Sequence, residues 1–316
     1  MGVGLTDAVV EDAIAVSPHT RRRASFKVMK KSGQTLIGFH AAKSHDIIDM
    51  RECLVLTPKL FALVERLRVM MNAILHDGEK AELHVTEADN GFDIALRWQR
   101  KTTPALIAVI AKHAAALNLA RVTSDSEILI ELAAPVIRFG KAQVKLPPEA
   151  FLQSTREGET ALQSLVMEAL KGAKNIADLF AGCGTFALVL AERARVHAVE
   201  LEGEMLDALS AAARATSGLK PVTMEKRDLF KQPLTPLELN AFDAILLDPP
   251  RIGASAQVKT ISQSHVKRVA YVSCNAASFA RDARVLTEGG FRMGPVTPID
   301  QFLWSEHIEL FAVFER

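Results

Sequence analysis

Cys274 closes the run Arg268-Val269-Ala270-Tyr271-Val272-Ser273, an apolar, β-branched stretch that reads as a buried strand with a thiol at its end. Asp248 holds the matching place after Phe242-Asp243-Ala244-Ile245-Leu246-Leu247, and Pro249-Pro250-Arg251 follow it. Two prolines after a buried strand stop it and leave a stiff, extended loop, which fixes the carboxylate at the mouth of a pocket. A thiol becomes a nucleophile on ionising, and helix N-termini and neighbouring cations favour the anion. Cys274 precedes a predicted helix over 276–288 that carries Arg281 in its second turn. The bland alternatives are an inert, space-filling cysteine and prolines that do no more than end a strand.

A third constellation is Asp178-Leu179-Phe180-Ala181-Gly182-Cys183-Gly184-Thr185, a strand running through a G-x-G turn into a helix. Glycines there let backbone amides approach a ligand, and the helix N-terminus favours its polar or negative groups. Glu200 ends the next predicted strand, where a carboxylate can accept both hydroxyls of a ribose. A nucleoside cofactor suits this pair. Three readings stay open at this point: adenosylmethionine, a nicotinamide dinucleotide, since G-x-G-x-x-A also fits that fingerprint, and a plain packing turn. Cys183 reads as a compact filler between the glycines. Asp228, after the third strand, either faces an adenine or caps the next turn.

Beside a methyl donor a thiol has a specific use. C5 of uracil is a poor nucleophile, but thiolate addition to C6 turns the ring into an enolate whose C5 can take a methyl group. The C5 proton must then leave, which calls for a general base. Glu309, in His307-Ile308-Glu309, is the candidate, with an ordinary exposed strand carboxylate as the alternative.

The elements that must position these groups follow a clear alternation. From about residue 150, strands are predicted at 175–180, 195–200, 222–226, 242–248, 268–273 and 307–315, with helices at 185–194, 203–216, 256–265 and 276–288. That order requires an α/β fold with a parallel, doubly wound, Rossmann-like sheet, whose ligands bind at the carboxyl ends of the strands. The first half reads as a mixed α+β unit. It comprises a hairpin over 24–40 about Lys31-Ser32-Gly33, a helix over 59–75 after Pro58, a second hairpin over 81–99 turning at Asn90-Gly91, a helix over 104–118 and a strand over 127–132. The division falls at 1–147 and 148–316, with Lys145-Leu146-Pro147-Pro148-Glu149-Ala150-Phe151 as the linker.

Composition narrows the class. With 38 basic and 37 acidic residues the net charge is +1, so any nucleic-acid surface must be local. Arg21-Arg22-Arg23, with Lys27, Lys30 and Lys31, is the densest basic stretch and reads either as a phosphate contact or as a solvated strand face. Cys53, Cys183 and Cys274 stand far apart without a C-x-x-C pair, which argues against a disulfide framework or a zinc site and for a cytoplasmic location. The opening sixteen residues lack a basic n-region and carry Glu11 and Asp12, so no secretory leader is expected. The apolar stretch around Lys112 and His113 is too short and too interrupted to span a membrane.

Taken in order, these segments resemble the RNA uracil-C5 methyltransferase family: Phe151-Leu152-Gln153, the run 178–186, Ala198-Val199-Glu200, the run 248–253, the run 271–275, Ala280-Arg281-Asp282 and His307-Ile308-Glu309. Upstream, Arg21-Arg22-Arg23-Ala24 and the run 43–49 extend the resemblance over nearly the whole chain. It implies that Cys274 is the nucleophile and Glu309 the base, and that Gln153, Phe180, Gly182, Thr185, Glu200 and Asp248, with Asp228, line a site for S-adenosylmethionine. It implies an RNA substrate, ribosomal rather than transfer RNA because the ribosomal branch is closest, with the uridine unstacked and Phe302 or Trp304 available to stack on it. The chain departs from the family at Thr185, often Asn there, and at Ser154-Thr155, where x-Asn is common. Many members carry three cysteines ahead of the region where this chain starts and bind a four-iron cluster with a fourth. Cys53 matches that fourth as a relic, and no iron–sulfur cluster is expected here. Two rival readings remain: an amine-directed methyltransferase, whose Asp-Pro-Pro loop needs no thiol, and a catalytically impaired RNA-binding protein.

Overall fold

The computed structural model describes residues 8–41 and 43–316. The opening segment, read as carrying no leader, lies outside the described residues as far as residue 7. In chain order, the first half contains β1 (Ile14–Ala15), β2 (Arg23–Lys31), β3 (Gln34–His40), β4 (Ile47–Asp49), α1 (Pro58–Ile74), β5 (Lys80–Ala88), β6 (Gly91–Trp98), α2 (Pro104–Ala114), β7 (Leu119–Ser124), β8 (Glu127–Glu131), β9 (Val136–Phe139) and β10 (Ala142–Lys145). The second half contains α3 (Arg156–Ala169), β11 (Asn175–Leu179), α4 (Ala187–Leu190), β12 (Arg195–Glu200), α5 (Gly203–Ala215), β13 (Val222–Lys226), α6 (Pro236–Leu239), β14 (Ala244–Leu247), α7 (Ser255–Ser262), β15 (Arg268–Ser273), α8 (Ala276–Glu288), β16 (Arg292–Asp300) and β17 (Glu309–Glu315).

Seven strands of the first half form one sheet in the order β4-β3-β2-β5-β6-β7-β8. The β2–β3 turn uses Ser32 and Gly33, both at positive φ (51° and 76°), as a tight hairpin turn requires. Helix α1 starts where Thr57 accepts the Leu60 amide and Pro58 fills the first turn, and it buries Leu60, Leu63, Val64, Leu67 and Met71 at helical spacing. The second hairpin turns at Asp89-Asn90, one residue earlier than expected. Gly91 is already paired with Ala88, and a Cβ there would stand 2.8 Å from the Asn118 carbonyl oxygen, so glycine serves a close backbone approach and not the turn.

The second sheet runs β1-β16-β17-β15-β14-β11-β12-β13, with the five strands from β15 to β13 parallel and β17 antiparallel beside them. Three departures from expectation have local causes. Helix α3 begins at the Thr155 cap, inside a segment assigned no structure from the sequence. Strand β16 hides behind Gly294, Pro295 and Pro298 and carries a bulge between Met293 and Val296. Helix α4 is one turn long and not ten residues.

The division at 147 does not follow the packing. β1 pairs with β16 of the second sheet, and the β9–β10 hairpin packs Ile137, Phe139 and Val144 against Leu188 and Ala212. Arg22 and Arg23 of the basic stretch stitch the two units together, so the reading of Arg22 as a phosphate contact is corrected. Arg22 is 2% exposed, and its guanidinium donates to Glu159 Oε2 at 2.5 Å and to the Gln153 carbonyl at 3.1 Å. Arg23 donates to the Leu152 carbonyl and lies 5.0 Å over the Phe151 ring; burial pulls its pKa down to about 10. Arg21 donates to the Arg23 carbonyl and lies 5.9 Å from the centre of the Phe302 ring. A basic run offers the same pattern whether water or a buried carboxylate meets it. Burial holds Glu159 above its ordinary pKa even against Arg22, so removing the arginine leaves a poorly solvated acid. Arg22→Ala is expected to cost about 3–5 kcal/mol of stability in a denaturant titration; a loss under about 1 kcal/mol would mean that water replaces the guanidinium.

Candidate active site

The carboxyl ends of β11, β12, β13, β14 and β15 lie along one edge of the second sheet, and β17, running the other way, starts at that edge. Register places Leu179 beside Leu247, Leu247 beside Tyr271 and Ser273 beside Leu310, so Asp248, Cys274 and Glu309 emerge side by side. Cys274 is half-buried, Asp248 lies deep in the site with part of its surface open, and Glu309 is 3% exposed.

The glycine turn is built for a ligand's approach. Phe180 and Gly182 take positive φ (67° and 53°), and a Cβ at Gly182 would meet no atom within 4 Å. Gly184 (φ 98°), in contrast, is required by packing, since a Cβ there would press on Leu188 and Leu209 at 3.0 Å. Glu200 braces the turn by accepting the Gly182 amide at 2.9 Å, and its other oxygen accepts the amides of Leu201 and Glu202. Below the turn Asp178 is fully buried, and neither carboxylate oxygen has a hydrogen-bond partner. Burial, with Glu200 nearby, raises it to about 7; the Ala187 amide is the donor that approaches it, short of hydrogen-bonding geometry. An orphaned buried carboxyl beneath an open glycine turn suits a ligand with polar or cationic groups. The Phe180 and Phe230 rings stand 5.4 Å apart beside the turn. Gln153 is buried at the same edge, and the Thr185 carbonyl is held by the Gln163 amide. Asp228 is spent on the amides of Phe230 and Lys231, the capping alternative, so nothing in its contacts directs it to a ligand. Cys183 is fully buried, with its thiol pushed up to about 12 by burial, as a filler would be.

The electrostatics of Cys274 differ from expectation. Burial, then Glu309 and Asp248, push its thiol up to about 11, and the cation that opposes them is Arg251. Arg281 is committed elsewhere, to Asp282 Oδ1 at 2.9 Å and to the Ile252 carbonyl at 2.8 Å. Helix α8 has its first amides taken by Asn275, which accepts from Ala277 and Ser278. Cys274 is therefore a thiol in the free protein and must lose its proton as it attacks. The loop carrying Arg251 is rigid. Asp282, fully buried, accepts the Ala254 amide at 2.6 Å and the Tyr271 hydroxyl at 2.7 Å, and Ser278 donates to the Arg251 carbonyl at 2.9 Å. Gly253 (φ 79°) passes so close that a Cβ would stand 2.5 Å from Asp282. Asp248 is raised well above the carboxylate range by burial, Glu309 and Asp178.

Gln301 was not singled out from the sequence, where a lone amide between Asp300 and Phe302 carries no signal. It is 1% exposed, and its Nε2 donates both to Glu309 Oε2 at 3.0 Å and to Gln153 Oε1 at 2.8 Å. Glu309 is raised to about 7 by burial, against the lowering effect of Gln301. A general base acts when ionised, so the rate is expected to climb as pH rises through about 7. Gln301→Leu removes one hydrogen bond to the anion, worth about 1.5–3 kcal/mol, and is expected to move that limb upward by about 1–2 pH units. A pH–rate profile checks this, and an unmoved limb would detach Gln301 from the base. Among the described residues, no group of three or more His, Cys, Asp or Glu is placed to hold a metal, and Cys53 is a free, half-buried thiol. No helix among them is long and apolar enough to cross a membrane.

Comparison with known proteins adds to this geometry. The sequence model described as tRNA (Uracil-5-)-methyltransferase matches residues 137–316. A Mesorhizobium japonicum protein named an uncharacterized RNA methyltransferase is 43% identical over 310 residues, covering 98% of this chain and 75% of that protein. The 23S rRNA (uracil(1939)-C(5))-methyltransferase of Vibrio vulnificus is 33% identical over 314 residues, covering 94% of this chain and 69% of that protein. Among solved structures, the Pyrococcus abyssi tRNA (uracil-54, C5)-methyltransferase, in complex with S-adenosyl-L-homocysteine, superposes with a TM-score of 0.76 at 19% identity, over 97% of this chain and 78% of that one.

Proposed function

The chain belongs to the tRNA (Uracil-5-)-methyltransferase family, and from that premise we propose that it transfers a methyl group from S-adenosylmethionine to C5 of a uridine in RNA through a covalent bond from Cys274. The observation that carries this reading is a thiol at a strand end beside a buried carboxyl held near neutrality, Glu309, with the open glycine turn on the same edge. Bound adenosylmethionine supplies an electrophilic methyl group. Gln153, Phe180, Gly182, Thr185, Glu200 and Asp248 are the residues to hold it, and the orphaned Asp178 beneath them favours its positive charge.

Cys274 Sγ gives up its proton to water and bonds to C6, which pushes the ring electrons toward C5 and the O4 enolate; Arg251 is the cation that favours the sulfur anion before attack. Once C5 carries the methyl group, ionised Glu309 takes the C5 proton. The C5–H electron pair then forms the C5–C6 double bond, and the C6–Sγ bond breaks to release the thiolate. Gln301 keeps Glu309 aimed and favours its ionised form until it takes that proton. The reading favours ribosomal RNA, because the Vibrio relative, which acts on 23S rRNA, is similar along nearly the whole chain. The seven-stranded unit is assigned a share of the RNA contacts.

The test is methyl transfer from methyl-labelled adenosylmethionine to unmodified ribosomal RNA, followed by digestion to nucleosides. Label in 5-methyluridine is the expected result. Label in an amino-methylated base would favour the amine-directed reading, and none in any RNA the impaired RNA-binding one.

A further inference from the structure

The opposite edge of the same sheet carries a row of cations with no partner among the described residues. Strand register lines up Arg292, Glu315, Arg268, Ala244 and Ile176, and then Asn175 with Arg195. The Lys174 carbonyl accepts the Arg195 amide, and the Pro221 carbonyl accepts that of Val196, so Lys174 and Lys220 fall in the same line. Lys220, Arg195, Lys174, Lys267 and Arg292 are all exposed. Among the described residues none of these five side chains has a hydrogen bond or ion pair. The acids of this edge are occupied: Glu315 with Arg268, Glu168 with Lys171, and Asp243 with the amides of Lys174 and Asn175. Two adjoining hollows of about 670 and 690 Å³ open between Lys171, Lys174, Lys267, Arg268 and Arg292.

Cations at this edge of an α/β sheet have an ordinary explanation, because helix C-termini end there and favour positive charge in their last turn. These five stand four or five residues beyond the ends of α3, α4, α5, α7 and α8, past the reach of that effect. The row crosses seven strands, or about 29 Å at ~4.8 Å per strand. It lies about 17–20 Å from the thiol, the length of a five- or six-residue strand. In a chain of net charge +1 in which Arg22, at the centre of the densest basic stretch, is buried against Glu159, this row gathers exposed positive charge that is uncommitted among the described residues.

We propose that this edge is a second RNA-backbone site, which grips a part of the substrate remote from the reacting uridine and so selects RNA large enough to wrap from one edge of the sheet to the other. The proposal rests on the RNA reading above. Its chemistry is phosphate neutralisation without base readout.

The experiment titrates the protein with a fluorescein-labelled sixty-nucleotide oligouridylate across a range of salt. In K174Q/K267Q/R292Q the slope of log affinity against log salt is expected to fall by about 2, at ~0.7 per phosphate contact on single strands. Between 50 and 200 mM salt the unaltered protein then loses about 20-fold more affinity than the variant. R195Q/K220Q tests the other end of the row and serves if the triple variant does not fold. R138Q/K141Q/K145Q, on the exposed face of the β9–β10 hairpin, makes the same change in charge off the row and should leave the slope unchanged. An unchanged slope in both row variants, or an equal fall in the hairpin variant, overturns the proposal. Binding is read without turnover, so failure to methylate any RNA would sink the functional reading and leave this one standing.

Discussion

Cys274→Ala is expected to abolish methyl transfer to uridine, by on the order of 10⁵-fold or more, while RNA and adenosylmethionine still bind. The size follows from chemistry: without addition to C6, C5 stays too electron-poor to take the methyl group, and the side chains near the thiol are two carboxyls and a guanidinium, none able to replace it. The variant should fold, since a half-buried thiol at the sheet edge gives up little packing. RNA containing 5-fluorouridine sharpens the measurement. Fluorine cannot leave C5 as a proton does, so the unaltered protein should form a complex with RNA that survives a denaturing gel and carries the methyl label, and the variant should form none. If Cys274→Ala still methylated RNA, the covalent reading would be wrong and the Asp-Pro-Pro loop would stand as the site of amine chemistry.

Glu309→Gln should separate the two halves of the reaction. Addition and methylation need no base at C5, but release does, so turnover is expected to fall by about 10²–10⁴-fold. The methylated covalent complex should accumulate on ordinary uridine RNA, visible as the same slow-migrating band without fluorine. The amide fills the place of the carboxyl and can still accept from Gln301, so a packing defect would not explain the loss. The limb of the pH–rate profile near 7 should vanish with the carboxyl. The same raised pKa has a cost in stability. Glu309 and Asp178 hold their protons more tightly folded than unfolded, so their contribution to stability is greatest below the ordinary carboxylate range and falls as pH rises toward about 7. Turnover by Glu309→Gln near the original rate would move the role of base to another group.

The strand ends were legible because each combines a buried apolar run with a residue such a run has no use for: Glu200, Asp248, Cys274. Parallel topology then brings those ends to one edge without further information. What escaped depends on partners distant in the chain. Arg22 looks like a surface cation until Glu159, in a helix the sequence did not announce, closes on it. Arg281 stands near Cys274 in sequence but is drawn away by Asp282, and Arg251, on a neighbouring loop, takes its place. Gln301 acquires meaning only when β16 and β17 fold back to set it between Gln153 and Glu309. Strand β16 itself was masked by its prolines and glycine.

The pairing of β1 with β16 bears on the order in which the molecule is made. Ile14 leaves the ribosome some 285 residues before Ile299, its neighbour in the sheet. At about 5–20 residues per second, the opening strand waits roughly 15–60 s for its place. In that interval the seven-stranded unit, whose strands all fall within residues 23–131, can close on its own, while the second sheet lacks β16 and β17, the two strands that stand between β1 and β15.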